Sequence, residues 1–194
     1  MNTRMRGGGR RRSLWKGPAL TAALIMVIPA LGNRFVDGWD WNIGSFVVIG
    51  SFIFGLGLAY ELITRKVDTI AYRAAVGIAL VASFVLVWGN FVQASDDVNP
   101  VPAAMMYLVV PIVAIIGGAL ARLRPSGMAL ALFATALAQA LILAIVFSRN
   151  PPVTSWTWAA WRGFGGNAFF LMSFVGSALL FRKAAREQSA PGAA

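Results

Sequence analysis

Residues 125–148 read PSGMALALFATALAQALILAIVFS, 24 residues without an Asp, Glu, Lys or Arg, bounded by Arg124 and Arg149. A helix rises 1.5 Å per residue and needs about 20 residues to cross a hydrocarbon layer of about 30 Å. This run is therefore long enough to span a membrane. Working outward in both directions, five more uncharged runs appear: 17–33, 41–60, 74–95, 98–121 and 163–181, of 17, 20, 22, 24 and 19 residues. The first is marginal in length and the others are ample.

The composition agrees. Of 194 residues 58% are hydrophobic and 12% charged, and the mean hydropathy is +0.71. A soluble domain carries roughly 25% charged residues because water must wet its surface. Half that fraction leaves too little polar surface to cover a globule, which points to lipid as the solvent. The expected fold is all-α: a polytopic transmembrane bundle of about six helices. Its parts are a basic arm over 1–16, a membrane domain over 17–181, and a tail over 182–194. The spans are expected near 17–33, 43–64, 70–92, 102–121, 127–147 and 162–181.

Lysine and arginine set the orientation. With the N-terminus inside, 14 of the 17 basic residues face the cytoplasm: the arm from Arg4 to Lys16, then Arg65, Lys66, Arg73, Arg122, Arg124, Arg182, Lys183 and Arg186. Only Arg34, Arg149 and Arg162 fall outside, so the positive-inside rule places both termini in the cytoplasm. Trp39, Trp41, Trp88, Trp156, Trp158 and Trp161 gather at the outer interface, and Trp15, Tyr60 and Tyr72 at the inner one, where amphipathic rings settle among headgroups. The net charge of +10 is thereby accounted for by topology and anionic lipid. No folded basic domain remains to bind nucleic acid.

Arg11-Arg12-Ser13-Leu14-Trp15-Lys16 has the form of a twin-arginine export signal, with Ala30-Leu31-Gly32 as a cleavage site. Five further spans favour an uncleaved signal anchor. Short turns at 65–68 and 122–126 should fold the second span on the third, and the fourth on the fifth, as antiparallel hairpins. Pro111 should kink the fourth span by removing a backbone donor.

Chemistry is sparse. With no cysteine and no histidine, thiolate nucleophiles, iron–sulfur clusters, axial haem ligation and most zinc, copper or iron sites lose their ligands. No catalytic residue, metal or cofactor is expected. Asp37, Asp40, Asp96 and Asp97 are outer carboxylates that could hold Ca²⁺ or Mg²⁺ or act as acids, but no second motif accompanies them and solvated loop charges are the favoured reading.

Gln139, with Thr135 one turn before it, is the strongest polar group near the midplane. An unsatisfied amide there costs several kcal/mol, so it either bridges to a neighbouring helix, with Ser83 and Ser173 as candidates, or lines a solute path. Glu61 and Arg65 stand at i, i+4, with Arg73 across the turn, in the order that suits an interfacial ion pair. Small residues recur at Ser51, Gly55 and Ala59, and again at Ala131, Thr135 and Gln139, the spacing that lets helices approach closely in lipid.

Tyr72-Arg73-Ala74-Ala75-Val76-Gly77, Trp88-x-Asn90, Asp97-x-x-Pro100 and Arg122-x-Arg124-Pro125-x-Gly127-Met128, running into Ala134-Thr135-Ala136-Leu137-Ala138-Gln139, resemble a group of small multi-pass bacterial inner-membrane proteins. The resemblance covers about the central third of the chain. It implies a bacterial inner membrane and brings no activity with it. The expected role is a non-catalytic accessory or assembly component acting through helix–helix association, its partners being membrane lipid and another membrane protein or a second copy. The alternatives are an oligomeric transporter or channel along Gln139, Thr135 and Pro111, and a membrane enzyme using Asp96 and Asp97.

Overall fold

The computed structural model describes residues 15–36, 41–65, 67, 69–96, 105–149 and 158–189. Among them all regular structure is helical: α1 (Lys16–Phe35), α2 (Ile43–Thr64), α3 (Ile70–Asp96), α4 (Val109–Leu120), α5 (Pro125–Arg149) and α6 (Trp158–Ser189). Five of the six are long and apolar enough to cross a membrane, while the stretch Met105–Leu120 is apolar but shorter.

The helices follow the expected spans with two differences. α6 starts at Trp158 and runs to Ser189, so Arg162 and Arg182, which bound the apolar run, lie inside the helix. Charge limits a hydrophobic run but not a helix, since Arg, Lys and Ala all propagate one well.

The second difference is at Pro111. Its missing N–H would have bonded the Tyr107 carbonyl, and its ring crowds that same carbonyl. The helical turn over 105–107 therefore stops at Leu108 and restarts at Val109. The Leu108 N–H bonds three residues back, to the Met105 carbonyl, at 3.2 Å. The expected kink is thus a break one turn upstream, and Pro111 sits in the first turn of α4, where no backbone donor is needed.

The chain divides into two compact units, Met1–Leu62 and Ile63–Ala194. In the first, α1 and α2 form an antiparallel hairpin. Pro18, Ala22 and Pro29 are the buried residues of α1 and fall on one narrow stripe. A Cβ at Gly57 would stand 3.1 Å from Pro18, and one at Gly50 would stand 3.7 Å from Met26, so these glycines mark the side of α2 that faces α1. Asn33 closes the hairpin: its amide donates to the Trp41 carbonyl at 3.0 Å and its Oδ1 accepts the Trp41 N–H at 2.7 Å.

In the second unit α6, last in sequence, packs against both α3 and α5, and α5 also holds α4. The expected α4–α5 hairpin is present. A Cβ on Gly117 would lie 2.7 Å from the Ala131 Cβ, and one on Gly127 would lie 2.8 Å from the Ala121 Cβ. Only glycine at both points lets the two backbones approach this closely. The turn itself is left-handed at Arg122 (φ 48°) and Leu123 (φ 58°), a conformation that costs about 1–2 kcal/mol per L-residue. Tyr72 offsets part of that cost, because its hydroxyl donates to the Leu123 carbonyl at 2.8 Å. The Tyr72 ring meets Phe181 of α6 edge-on at 4.9 Å. Further along, the buried Ser177 hydroxyl of α6 donates to the Ala75 carbonyl of α3 at 2.7 Å.

Candidate functional site: a closed polar cluster in the second unit

An apolar bundle advertises function through the polar groups it buries, because each must find a partner in a medium without water. Gln139, Thr135 and Ser177 are fully buried, and the first two are the residues singled out from sequence. Both project from α5 on the face that also carries Ala131, the residue packed against Gly117. The Thr135 hydroxyl donates to the Ala131 carbonyl at 2.9 Å, which satisfies it within its own helix.

Gln139 reaches across to α6, where its Nε2 donates to Asn167 Oδ1 at 2.8 Å. The partners expected from sequence were Ser83 or Ser173, but Ser173 donates to the Phe169 carbonyl of its own helix at 2.8 Å. Asn167 in turn donates through Nδ2 to the Gly163 carbonyl at 2.8 Å and shares a hydrogen bond with Tyr107. Tyr107 lies in the helical turn just before α4 and is buried. Three segments thus meet at Asn167.

The amide orientations are fixed by this chain of partners. Asn167 must turn its amide toward the Gly163 carbonyl, so its Oδ1 faces α5. Gln139 must then present Nε2, which leaves its Oε1 pointing away from the contact. That oxygen is buried without a hydrogen-bond partner. An orphan acceptor costs about 1–3 kcal/mol and is the one incomplete element of the cluster.

The chemistry available is narrow. Two amides, a phenol and a backbone-tied threonine include no nucleophile and no general base working near neutral pH. Among the described residues no group of three or more His, Cys, Asp or Glu could hold a metal ion. Asp37, Asp40 and Asp97 lie outside the described residues, as does the side chain of Asp96. The cluster joins α5 and α6 to the helical turn that precedes α4.

Glu61 lies in the last turn of α2, which ends at Thr64, and Arg65 is the residue that follows the helix. Arg65 and Arg73 are both exposed, and Glu61 is half-buried.

Asn167 was missed because depth was counted from charges. Taking the span to begin at Arg162 puts Asn167 only five residues in, too shallow to meet Gln139. Measured from the helix ends, Gln139 is ten residues before Arg149 and Asn167 nine after Trp158. On antiparallel neighbours those depths match. Comparison with protein-family models, with curated proteins and with solved structures finds no match to this chain.

Proposed function

We propose that this chain is a multi-pass protein of the bacterial inner membrane, with both termini cytoplasmic, that works without catalysis as an accessory or assembly component through helix–helix association. The orientation rests on the basic residues and the bacterial setting on the sequence resemblance. The association rests on one observation above all. Only 6% of the α2 span is buried, against 33% for α3 and α5, yet α2 carries the stripe Ser51, Gly55 and Ala59.

At 100° per residue that stripe lies about 100–180° around the helix from the Gly50–Gly57 line that meets α1. Ser51 and Gly55 are exposed, and no atom stands within 4 Å of a Cβ placed on Gly55. The matching stripe on α5 is consumed by packing against α4 and α6; that on α2 is left open. A glycine stripe facing lipid wastes the close approach that is its physical use, whereas against a partner helix it permits tight backbone contact.

A solute path is the less supported alternative. Its expected lining residues, Gln139 and Thr135, have no exposed surface, which counts against a passage within one chain.

The test is the mass of the gently extracted, C-terminally tagged protein. The expected result is an assembly well above 20.7 kDa, either a multiple of the chain or a stoichiometric complex with another membrane protein. Gly55→Leu should reduce it to the single chain, and nothing within the fold obstructs that side chain. A wild-type monomer, or an assembly indifferent to Gly55→Leu, would overturn the reading.

A further inference from the structure

The positive-inside rule places basic residues on one side of a membrane but does not gather them into a site. The second unit brings the segments that carry three of them to one level. The Tyr72 hydroxyl bonds the Leu123 carbonyl, which fixes the turn bearing Arg122 and Arg124 against the start of α3. The same Tyr72 ring meets Phe181, which brings α6 to that level one residue before Arg182. Three segments distant in sequence are thereby pinned at one end of the unit through a single buried tyrosine.

The direction of Arg182 follows from helix geometry. Asn167 marks the face of α6 turned to α5, and Ser177 the face turned to α3. At 100° per residue Arg182 lies about 60° from Asn167 but about 140° from Ser177. It therefore flanks the α5 side of α6, the side where the Arg122–Arg124 turn opens into α5. Arg122, Arg124 and Arg182 are all exposed. Lys183, farther around the helix, is instead engaged with Glu187 at 3.9 Å.

We propose that Arg122, Arg124 and Arg182 form a binding site for the phosphate headgroup of an anionic phospholipid, seated at the end of the second unit where Tyr72 joins α3, the α4–α5 turn and α6. The chemistry is specific to that ligand. Guanidinium groups bind phosphate oxygens through paired, charge-assisted hydrogen bonds. The surrounding surface is apolar, with Leu120 and Leu123 exposed beside the turn, and suits acyl chains rather than a free ion. The site needs the chain to be membrane-embedded but does not depend on the association of α2 with a partner.

Native mass spectrometry of the full-length protein tests both, since it reads bound lipid and oligomeric state together. Phosphatidylglycerol, phosphatidylcholine and inorganic phosphate are titrated separately. The site predicts one phosphatidylglycerol retained per chain, with phosphatidylcholine and inorganic phosphate each bound at least about tenfold more weakly. Arg182→Gln, an exposed change on a regular helix, should weaken retention by about five- to tenfold. The triple change Arg122→Gln, Arg124→Gln, Arg182→Gln should abolish it. An equal charge change in the N-terminal arm, Arg4→Gln, Arg6→Gln, Arg10→Gln, should leave it intact. Equal loss from the arm variant would mean diffuse attraction, equal binding of inorganic phosphate would mean a plain anion site, and retention by the triple variant would mean the headgroup sits elsewhere; each overturns the proposal. Loss of the assembly with lipid retained would strike only the association reading.

Discussion

At the scale of single residues, the cluster around Asn167 makes an asymmetric prediction. Asn167 serves both Gln139 and Tyr107, so Asn167→Leu leaves the whole Gln139 amide without a partner and Tyr107 without its bond. Gln139→Leu, by contrast, strands only Asn167 Oδ1, removes an oxygen that already lacks a partner, and leaves Asn167 bonded to Tyr107 and Gly163. Removing one member of a buried pair costs about 1–3 kcal/mol per stranded group, whereas losing a group that was already unsatisfied relieves part of that cost. Thermal unfolding in detergent should therefore show Asn167→Leu clearly destabilised and Gln139→Leu close to wild type, since one stranded acceptor replaces another. Equal losses in both would mean that Gln139 Oε1 is satisfied by a group the cluster does not contain. Gln139 and Thr135 were legible in the sequence because polar residues stand out inside an uncharged run. Asn167 and Tyr107 were not, because they come together only through the true start of α6 and the break before α4.

At the scale of elements, the sequence marked where helices pass but not where they end. Each of the six helices overlaps an uncharged run, and α2 has the expected bounds, Ile43–Thr64, although they pass Glu61 at the edge of the apolar run. α6 departs most, because its terminal charges sit on a continuous helix. The α4–α5 hairpin was readable from its short turn. The Tyr72 hydroxyl that stabilises its left-handed residues was not, since no local pattern pairs positions 72 and 123. Close approach at Gly117 gives this element its test. Gly117→Val would drive a Cβ to 2.7 Å from that of Ala131 and 3.2 Å from its backbone. Forced overpacking costs about 1–3 kcal/mol, so the midpoint should fall, whereas Gly55→Val on open α2 should cost far less. Comparable losses at the two positions would contradict the hairpin geometry.

At the scale of the whole molecule, composition removes thiolate and imidazole chemistry. A chain without cysteine or histidine offers few ligands or nucleophiles, and the described residues offer the closed amide cluster in their place. Helix packing within the second unit was beyond the sequence, because every span is nearly uniform in hydrophobicity and lipid-facing and protein-facing sides share the same residue types. Polar and small residues break that degeneracy: Gln139 with Asn167 joins α5 to α6, and Ser177 with Ala75 joins α6 to α3. The absence of native cysteine also makes topology directly measurable, since any introduced cysteine is the only thiol in the chain. Single variants Gly38→Cys, Ser126→Cys, Asn150→Cys and Ser189→Cys, treated in intact cells with a membrane-impermeant maleimide, test the central claim of the proposed orientation, with the turn before α5 and the C-terminal end of α6 inside. Positions 38 and 150 should label at once, and positions 126 and 189 only after permeabilisation. Labelling of 126 or 189 in intact cells, or protection of 38 and 150, would contradict it.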